Sequence, residues 1–168
     1  MRIRNAVESD APALADAERA ISSDVEGLLL ASPGEIPVEA YRATIAKLHH
    51  RGLYVVAESA GALVGHLLVQ PLSLRSIQHV GSLTVVVHPG NSGKGIGRRL
   101  VEYAVDWSFR SEWITKLELR VRATNTRAIS LYEACGFQLE GTLQNHVRIS
   151  TGYVDELCMG LDVRNKDA

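Results

Sequence analysis

The sequence predicts an α/β fold in a single domain that spans residues 1–168. Its 168 residues suit one domain, and a chain of this size buries roughly 70% of the surface that its unfolded form exposes. Strand-like and helix-like segments alternate in the order β, α, α, β, β, β, α, β, α, β, β. No internal repeat, low-complexity tract or break in composition divides these segments. We therefore expect one domain.

The sequence of the first third of the chain predicts one strand, two helices and then the start of a β-hairpin. Pro12 falls near the first turn of an alanine-rich helix, a position that tolerates proline. Apolar residues at helical spacing predict a second helix over residues 38–50. Glycines and prolines punctuate residues 24–37, which we expect to be the least structured region. Residues 59–61 (Ser-Ala-Gly) separate two apolar runs, as in a β-hairpin.

The remaining elements follow from β-branched runs and from helical apolar spacing. The predicted strands lie at residues 2–6, 53–58, 62–69, 80–87, 117–121, 137–147 and 153–161. The predicted helices lie at residues 9–21, 38–50, 95–109 and 126–135.

Residues 85–100 join a β-branched run to an amphipathic helix through a glycine-rich turn. Glycine backbone can turn its amides toward a ligand without a side chain in the way. The first-turn amides of the helix lack intrahelical partners, and the helix dipole favours negative charge there. Lys94, Arg98 and Arg99 lie between Val87 and Leu100, with no acidic residue among them. The segment predicts a pyrophosphate cradle; the alternative is a connector that binds no ligand.

Two common nucleotide-binding motifs do not fit this turn. The P-loop requires glycine five residues before its Gly-Lys pair, where this chain has His88, and Ser or Thr after the lysine, where it has Gly95. The dinucleotide fingerprint requires a third glycine where Arg98 stands. The cradle therefore belongs to neither motif.

A second segment, residues 125–137, follows the strand-like run at residues 117–121. It carries Asn-x-x-Ala-x-x-Leu-Tyr and then Gly-Phe. Together the two segments resemble the GCN5-related N-acetyltransferase (GNAT) family, and the resemblance spans essentially the whole chain. The matching residues are Gly95, Gly97, Asn125, Ala128, Leu131, Tyr132, Gly136 and Phe137. Ser92 departs from the family pattern, since it stands where Arg or Gln is usual; cofactor affinity would then depend on Arg98.

The resemblance implies the GNAT fold, a mixed and mostly antiparallel sheet of about seven strands with a splayed parallel pair and about four flanking helices. It also implies acetyl-CoA as the cofactor. Backbone groups of residues 83–87 would hold pantetheine, the glycine loop would hold pyrophosphate, and Asn125 would bond the pantetheine arm. The implied cofactor-binding residues are Val85, Val87, Ser92, Gly93, Lys94, Gly95, Ile96, Gly97, Arg98, Asn125 and Arg127.

The resemblance makes Tyr132 the candidate general acid. A phenol with an ordinary pKa near 10 can return a proton to a departing thiolate. The alternative is a tyrosine that packs in the core between Leu131 and Phe137. No general base is assigned, because the strand before the glycine loop carries no carboxylate. A water chain with Glu118, His79 or His146 as relays remains open; for each histidine a surface or packing role is the competing interpretation.

The C-terminal hairpin resembles that of GNAT members that act on amino acids and related small amines. Arg148 would clamp a carboxylate, and Tyr153 or Asp155 would line the acceptor pocket. The alternative is an ordinary hairpin that turns at Thr151-Gly152, with Arg148 on its surface.

Three functions follow from these motifs. The first is an acetyl-CoA-dependent N-acetyltransferase that acts on a small amine such as an amino acid, by direct transfer in a ternary complex. The second has a protein or peptide amine as acceptor, with residues 24–37 forming one wall of the groove. The third is a non-catalytic acyl-CoA-binding sensor, which the departure at Ser92 keeps open.

Composition excludes several partner classes. The net charge of −1 gives no general attraction to nucleic acid or anionic membrane. No apolar run approaches the ~20 residues of a membrane span, and the first residues show no signal-peptide pattern. Cys135 and Cys158 are expected to be buried thiols in a reducing cytoplasm, not a disulfide or a metal site. Homodimer formation is left open, because three aromatic residues suit either a dimer interface or the core: Trp107, Phe109 and Trp113.

Overall fold

A seven-stranded sheet and four α-helices make up the fold of the described residues, which are 1–22, 34–48 and 50–164 of this computed structural model. Positions 24–33 of the region expected to lack structure lie outside the described residues. The helices are α1 (Ala11–Ser22), α2 (Val38–Leu48), α3 (Ile96–Phe109) and α4 (Thr126–Ala134). The strands are β1 (Arg2–Asn5), β2 (Leu53–Ser59), β3 (Ala62–Pro71), β4 (Val80–Val87), β5 (Lys116–Arg122), β6 (Gln138–Ile149) and β7 (Gly152–Asp162).

The strand order is β1-β2-β3-β4-β5-β7-β6. The pairs β1–β2, β2–β3, β5–β7 and β6–β7 are antiparallel, whereas β4 and β5 are parallel. The prediction of a mixed, mostly antiparallel α/β fold is therefore confirmed.

The parallel ladder between β4 and β5 is short. It consists of three residue pairs, from Val80↔Lys116 to Ser82↔Glu118. Both strands continue beyond the last pair, β4 to Val87 and β5 to Arg122. Backbone groups that leave a ladder inside a sheet need other partners. This is the splayed parallel pair that the fold prediction contained.

The chain divides into two compact units. The first consists of residues 1–70 and 84–100. Its core lies where α1 and α2 pack on β2, and its fully buried members include Ala11, Leu14 and Val56. Val55 and Leu67, on β2 and β3, are also fully buried. The apolar spacing that predicted α2 thus corresponds to a real core face, and the alanine-rich segment predicted as α1 packs in the same core.

The second unit consists of residues 71–83 and 101–168. Strands β5 and β7 have one apolar face, where Leu117, Leu119 and Met159 are buried. The opposite face of the same two strands carries Arg120 and Glu156, since side chains alternate along a strand. Whether residues 1–168 fold as one domain stays a prediction.

The predicted hairpin turns are close to those observed. Ala60 and Gly61 join β2 to β3. The turn between β6 and β7 lies one residue earlier than predicted, at residues 150–151, because Gly152 pairs with Ile149 as the first residue of β7. Among the described helices, none combines the length and the apolar character that a membrane crossing requires.

Candidate active site

The loop between β4 and α3 has the backbone geometry of an anion cradle. Gly90, Gly93 and Gly95 have φ values of +75°, +82° and +73°, in the left-handed region that glycine adopts without strain. Apart from the adjacent residues of the chain, no atom of the described residues lies within 4 Å of the position that a Cβ would occupy on Gly90 or Gly95. Backbone at these two positions is therefore open to close approach by a ligand.

Charge and helix geometry agree with this cradle. The Nζ atom of Lys94 donates to the carbonyl oxygen of Gly90 at 3.0 Å and to the side-chain oxygen of Asn91 at 3.1 Å, which keeps the cation over the loop. The amide of Arg99 donates to the carbonyl of Gly95; the amides before it belong to the first turn of α3, which lacks intrahelical acceptors. These groups suit a pyrophosphate.

The predicted cofactor residues of this region lie together in one strand, loop and helix start. Val85 and Val87 are half-buried on β4. Ser92, Gly93, Lys94, Gly95 and Arg98 are exposed, and Ile96 and Gly97 are buried. Gly65 on β3 admits this arrangement, because a Cβ there would lie 3.1 Å from side-chain atoms of Ile96 and Leu100.

His88 anchors the start of the loop from inside the protein. It is 5% exposed, and its Nδ1 lies 3.0 Å from the carbonyl oxygen of Leu63. Its Nε2 lies 3.0 Å from Nδ1 of the fully buried His66, whose Nε2 lies 3.0 Å from Oε1 of Glu18. The backbone of His88 donates to Val64 and accepts from Asn91. The loop is thus connected to α1 by a buried hydrogen-bonded chain.

Asn125 begins α4. Its Oδ1 accepts a hydrogen bond from the amide of Ala128 at 3.1 Å, which caps the helix. Arg127 lies exposed in the first turn of the same helix. The cap shows why asparagine suits this position structurally; its predicted contact with pantetheine stays a prediction.

Tyr132 lies on α4 and is 8% exposed. Its ring centroid is 6.0 Å from that of Phe137, so the packing alternative describes its surroundings. Burial raises the pKa of the Tyr132 phenol to about 12. The hydroxyl therefore stays protonated at neutral pH, which a general acid requires.

The predicted acceptor residues occupy one end of the β6–β7 hairpin. Arg148 and Tyr153 are exposed and face each other across the two strands. Oδ1 of Asp155 accepts a hydrogen bond from the amide of Asn145 at 2.8 Å. Asp155 therefore has a structural partner, and the substrate roles of all three residues stay predictions.

The profile of the Acetyltransferase (GNAT) family matches residues 23–137. The chain belongs to the GNAT family. It is therefore a member of a family of acetyl-transferring enzymes whose acetyl donor is acetyl-CoA. The predicted family resemblance is confirmed.

Two relatives illustrate the range of acceptors among similar enzymes. The N-alpha-acetyltransferase RimI of Mycobacterium tuberculosis is 33% identical over 136 residues, which cover 81% of each chain. The spermidine N(1)-acetyltransferase of Vibrio cholerae is 33% identical over 102 residues, which cover 61% of this chain and 58% of that enzyme. The match thus spans less than two thirds of the spermidine enzyme.

Solved structures of other acetyltransferases share the fold. A GCN5-related N-acetyltransferase from Kribbella flavida superimposes with a TM-score of 0.85 at 28% identity and covers 96% of each chain. A putative acetyltransferase from Salmonella typhimurium, solved with its cofactor acetyl-CoA, has a TM-score of 0.88 at 20% identity and covers 100% of this chain and 96% of its own.

The three relay candidates of this GNAT chain lie in different surroundings. Glu118 is half-buried on β5 at the last parallel pair. His79 is exposed in the segment before β4. The Nε2 atom of His146 lies 3.5 Å from Oε2 of Glu156. Among these candidates, only His146 has a carboxylate partner that the structure records by distance.

Three polar residues that no sequence motif singled out take part in contacts with at least one buried side chain: Glu18, His66 and Glu156. The signal for His66 was a histidine inside the apolar run of β3, and the signal for Glu156 was an acid inside β7. The ring of His88 also has a role that no sequence pattern indicated, since it is buried and makes two hydrogen-bond contacts.

Proposed function

We propose that the chain is an acetyl-CoA-dependent N-acetyltransferase that transfers the acetyl group directly to the primary amine of a small molecule, an amino acid or analogue, in a ternary complex. One observation carries the proposal. Strand β4 continues past its three-pair parallel ladder and leads into a loop with three left-handed glycines at the start of α3. An extended strand followed by an anion cradle suits a long ligand that ends in a pyrophosphate.

Each cofactor-binding group has a defined task in this proposal. Backbone groups of Val85 and Val87 hold the pantetheine arm, and amides of residues 93–97 with Lys94 and Arg98 hold the pyrophosphate. Asn125 binds the pantetheine arm through its amide nitrogen, since its oxygen caps α4, and the exposed Arg127 beside it adds a cation. The bound cofactor supplies an activated acetyl thioester. A β4 amide would polarise the thioester carbonyl as negative charge develops.

Tyr132 acts as the general acid in this reaction. With acetyl-CoA bound, its hydroxyl would supply the proton that the CoA sulfur needs as a leaving group. Burial keeps the phenol protonated, since its pKa is raised to about 12.

The acceptor proposal rests on the β6–β7 hairpin. Arg148 is exposed and can pair bidentately with a carboxylate, and Tyr153, 62% exposed, offers an aromatic surface beside it. These groups favour an acceptor that carries a carboxylate. The proposed compartment is the cytoplasm, and the exposed Trp113 is the aromatic residue through which we propose a homodimer.

The similarity to RimI favours a second candidate function, acetylation of a protein N-terminus. The alignment covers 81% of both chains at 33% identity. A backbone amine at a protein N-terminus and a free amino acid share the α-amino group, but only the amino acid carries a carboxylate next to it. Acceptors with and without that carboxylate therefore separate the two functions.

The test is acetyl-CoA-dependent release of CoA thiol with amino acids, polyamines, aminoglycosides and short peptides. We expect release with amino acids. A higher KM for amino acids in Arg148→Ala would assign the carboxylate to Arg148, and an unchanged KM would assign it to another arginine. Release with peptides alone would support the RimI-like function. No release with any amine, while acetyl-CoA binds in a direct titration, would contradict the proposed enzyme and support the acyl-CoA sensor.

A further inference from the structure

Glu156 is a buried carboxylate that lacks a hydrogen bond on one oxygen. The residue lies on β7 and is 1% exposed. Among the residues that the structure describes, none donates a hydrogen bond to its Oε2. A buried carboxylate oxygen without a donor is costly, and such groups in native proteins call for an explanation.

Two basic side chains approach this oxygen without forming a hydrogen bond. Nη1 of Arg120 lies 3.7 Å away, and Nε2 of His146 lies 3.5 Å away. The side chains of Arg120 and His146 are 57% and 47% exposed, whereas that of Glu156 is 2% exposed. The cluster therefore consists of one buried carboxylate and two basic side chains that are accessible to solvent.

An ordinary structural ion pair would be closer. Nζ of Lys116 on β5 and Oε2 of Glu140 on β6 lie 2.7 Å apart across the intervening strand β7, which is the distance of a charge-assisted hydrogen bond. The longer separations around Glu156 leave Oε2 with unused hydrogen-bond capacity. Because this oxygen is buried, an additional donor reaches it only when the exposed side chains of Arg120 and His146 move aside.

A bulge in β6 presents His146 to this carboxylate. The register shifts between Leu143 and Val147, so that three residues of β6 lie opposite one residue of β7. Asn145 within the bulge has a φ of +51°, and its amide is held by Asp155 at 2.8 Å. Bulges redirect side chains and are frequent next to active sites. The bulge is an independent feature that points to the same cluster.

We propose that Glu156 binds the primary ammonium group of the acceptor and removes its proton, while Arg120, in place of Arg148, binds the carboxylate of the same acceptor. This inference rests on the proposed N-acetyltransferase function and narrows its substrate to an amino-acid-like zwitterion. Arg122 pairs with Glu156 in the β5–β7 register, so two arginines face this region. A polyamine, which carries further cations and no carboxylate, would be repelled by them.

The proton transfer is simple. One N–H bond of the acceptor ammonium breaks, its electron pair stays on nitrogen, and the proton moves to Oε2 of Glu156. His146 accepts that proton at Nε2 and releases it to solvent, leaving a neutral amine. The groups that face Glu156 are Arg120 and Arg122 from β5, His146 from β6 and Cys158 on its own strand, with Glu118 further along the same face of β5.

The test measures binding before turnover. Amino acids and the corresponding amines without a carboxylate are titrated into the protein saturated with CoA. We expect amino acids to bind more tightly than those amines, and Glu156→Gln and Arg120→Met each to weaken amino-acid binding at least 10-fold. Glu140→Gln, a change in the exposed pair with Lys116, is the matched control and should leave binding unchanged. CoA affinity should change less than 2-fold in every variant.

Turnover then tests the proton step. Glu156→Gln should lower kcat at least 100-fold, and His146→Gln should alter the acidic limb of the pH profile of kcat/KM, with partial rescue by added imidazole. If Glu156→Gln does not fold, the same binding and turnover measurements are made on Glu156→Asp, which keeps the charge, and on Arg120→Met. Amino-acid binding that is absent, or unchanged by these substitutions, would overturn the inference. Wild-type protein that binds amino acids without releasing thiol would instead contradict the proposed enzymatic function.

Discussion

A single hydrogen bond joins His66 to His88 in the interior of the protein, with Nδ1 of His66 lying 3.0 Å from Nε2 of His88. Nδ1 of His88 must carry a hydrogen, because the carbonyl of Leu63 can only accept. Burial and the neighbouring His66 lower the pKa of His88 to about 4, so its Nε2 is an acceptor at neutral pH. His66 must therefore donate from Nδ1.

With Nδ1 of His66 as the donor to His88, the hydrogen bond between His66 and Glu18 must contain one proton, carried either by the imidazole or by the carboxyl group. Nε2 of His66 lies 3.0 Å from Oε1 of Glu18, so the contact pairs either an imidazolium with a carboxylate or a neutral imidazole with a carboxylic acid. Tyr41 also hydrogen-bonds to Glu18, and burial raises the pKa of that phenol. The chain from α1 to the glycine loop is thus satisfied only while His88 is neutral.

We expect the stability of the protein to fall with acidification through His88. Its pKa is near 6.5 when unfolded and about 4 when folded, so its contribution is complete above about pH 6.5 and is lost as pH falls toward about 4. The loss is on the order of 3 kcal/mol. Urea unfolding between pH 8 and pH 4.5 would show a shallower pH dependence in His88→Gln than in wild type. The exposed His79→Gln is the control, and equal slopes in all three proteins would refute the assignment.

Replacing Tyr132 with phenylalanine should remove the proton donor and preserve the packing against Phe137. We expect kcat to fall about 100-fold or more, since a general acid contributes roughly 10²–10⁴-fold, while acetyl-CoA affinity stays within 2-fold. The wild-type rate should not decline at basic pH until the pH approaches the raised pKa of Tyr132, about 12. Steady-state kinetics with Tyr103→Phe as control would check this. An unaltered kcat would show that Tyr132 only packs.

Cofactor affinity should depend on Arg98, because Ser92 supplies no charge to the loop. Ser92 is exposed in the glycine loop, and Arg98 is exposed in the first turn of α3. We expect Arg98→Ala to weaken CoA binding about 10-fold and Ser92→Arg to strengthen it, because a charge-assisted hydrogen bond contributes about 1.5–3 kcal/mol. Calorimetric titrations should show that the differences in CoA affinity between the variants and wild type are smaller at high salt, because salt screens the charges. Arg110→Ala, beyond the end of α3, should bind like wild type; a wild-type affinity in Arg98→Ala would exclude this role.

Arg4, whose side chain is partly buried, should contribute more to the stability of the protein than the exposed arginines do. It donates to Asp10 at 2.7 and 2.9 Å and to Glu58 at 2.9 Å, and the pKa of Asp10 is lowered chiefly by that contact with Arg4. We expect Arg4→Met to lower the free energy of unfolding by about 1–3 kcal/mol at neutral pH, with a smaller difference in acid as Asp10 becomes protonated.

Denaturant unfolding of Arg4→Met beside Arg164→Met would check this expectation. Arg164 also pairs with an aspartate, Asp162, but on the surface, where an ion pair contributes little. Equal stability of the two variants would mean that the Arg4 contacts contribute no more than a surface pair.

Much of the fold and of the cofactor loop could be predicted from sequence because the determinants are local. Apolar spacing in α2 and the β-branched run in β4 depend on residues a few positions apart. The observed elements match their predicted positions within about three residues, as expected for boundary estimates. Glycines at 90, 93 and 95 mark a turn because few other residues adopt positive φ. The motif around Asn125 and Tyr132 completed the family assignment.

The sequence by itself determined the α/β class, the order of the elements, the glycine cradle and the GNAT family. Only the tertiary structure decided which polar groups are buried together, because that depends on strand order and register. Glu18 lies 48 positions from His66, and His66 lies 22 from His88. Arg120 and His146 reach Glu156 only because β7 lies between β5 and β6 and β6 is bulged. Local patterns do not encode such contacts, because their energies arise from burial and pairing across the folded sheet.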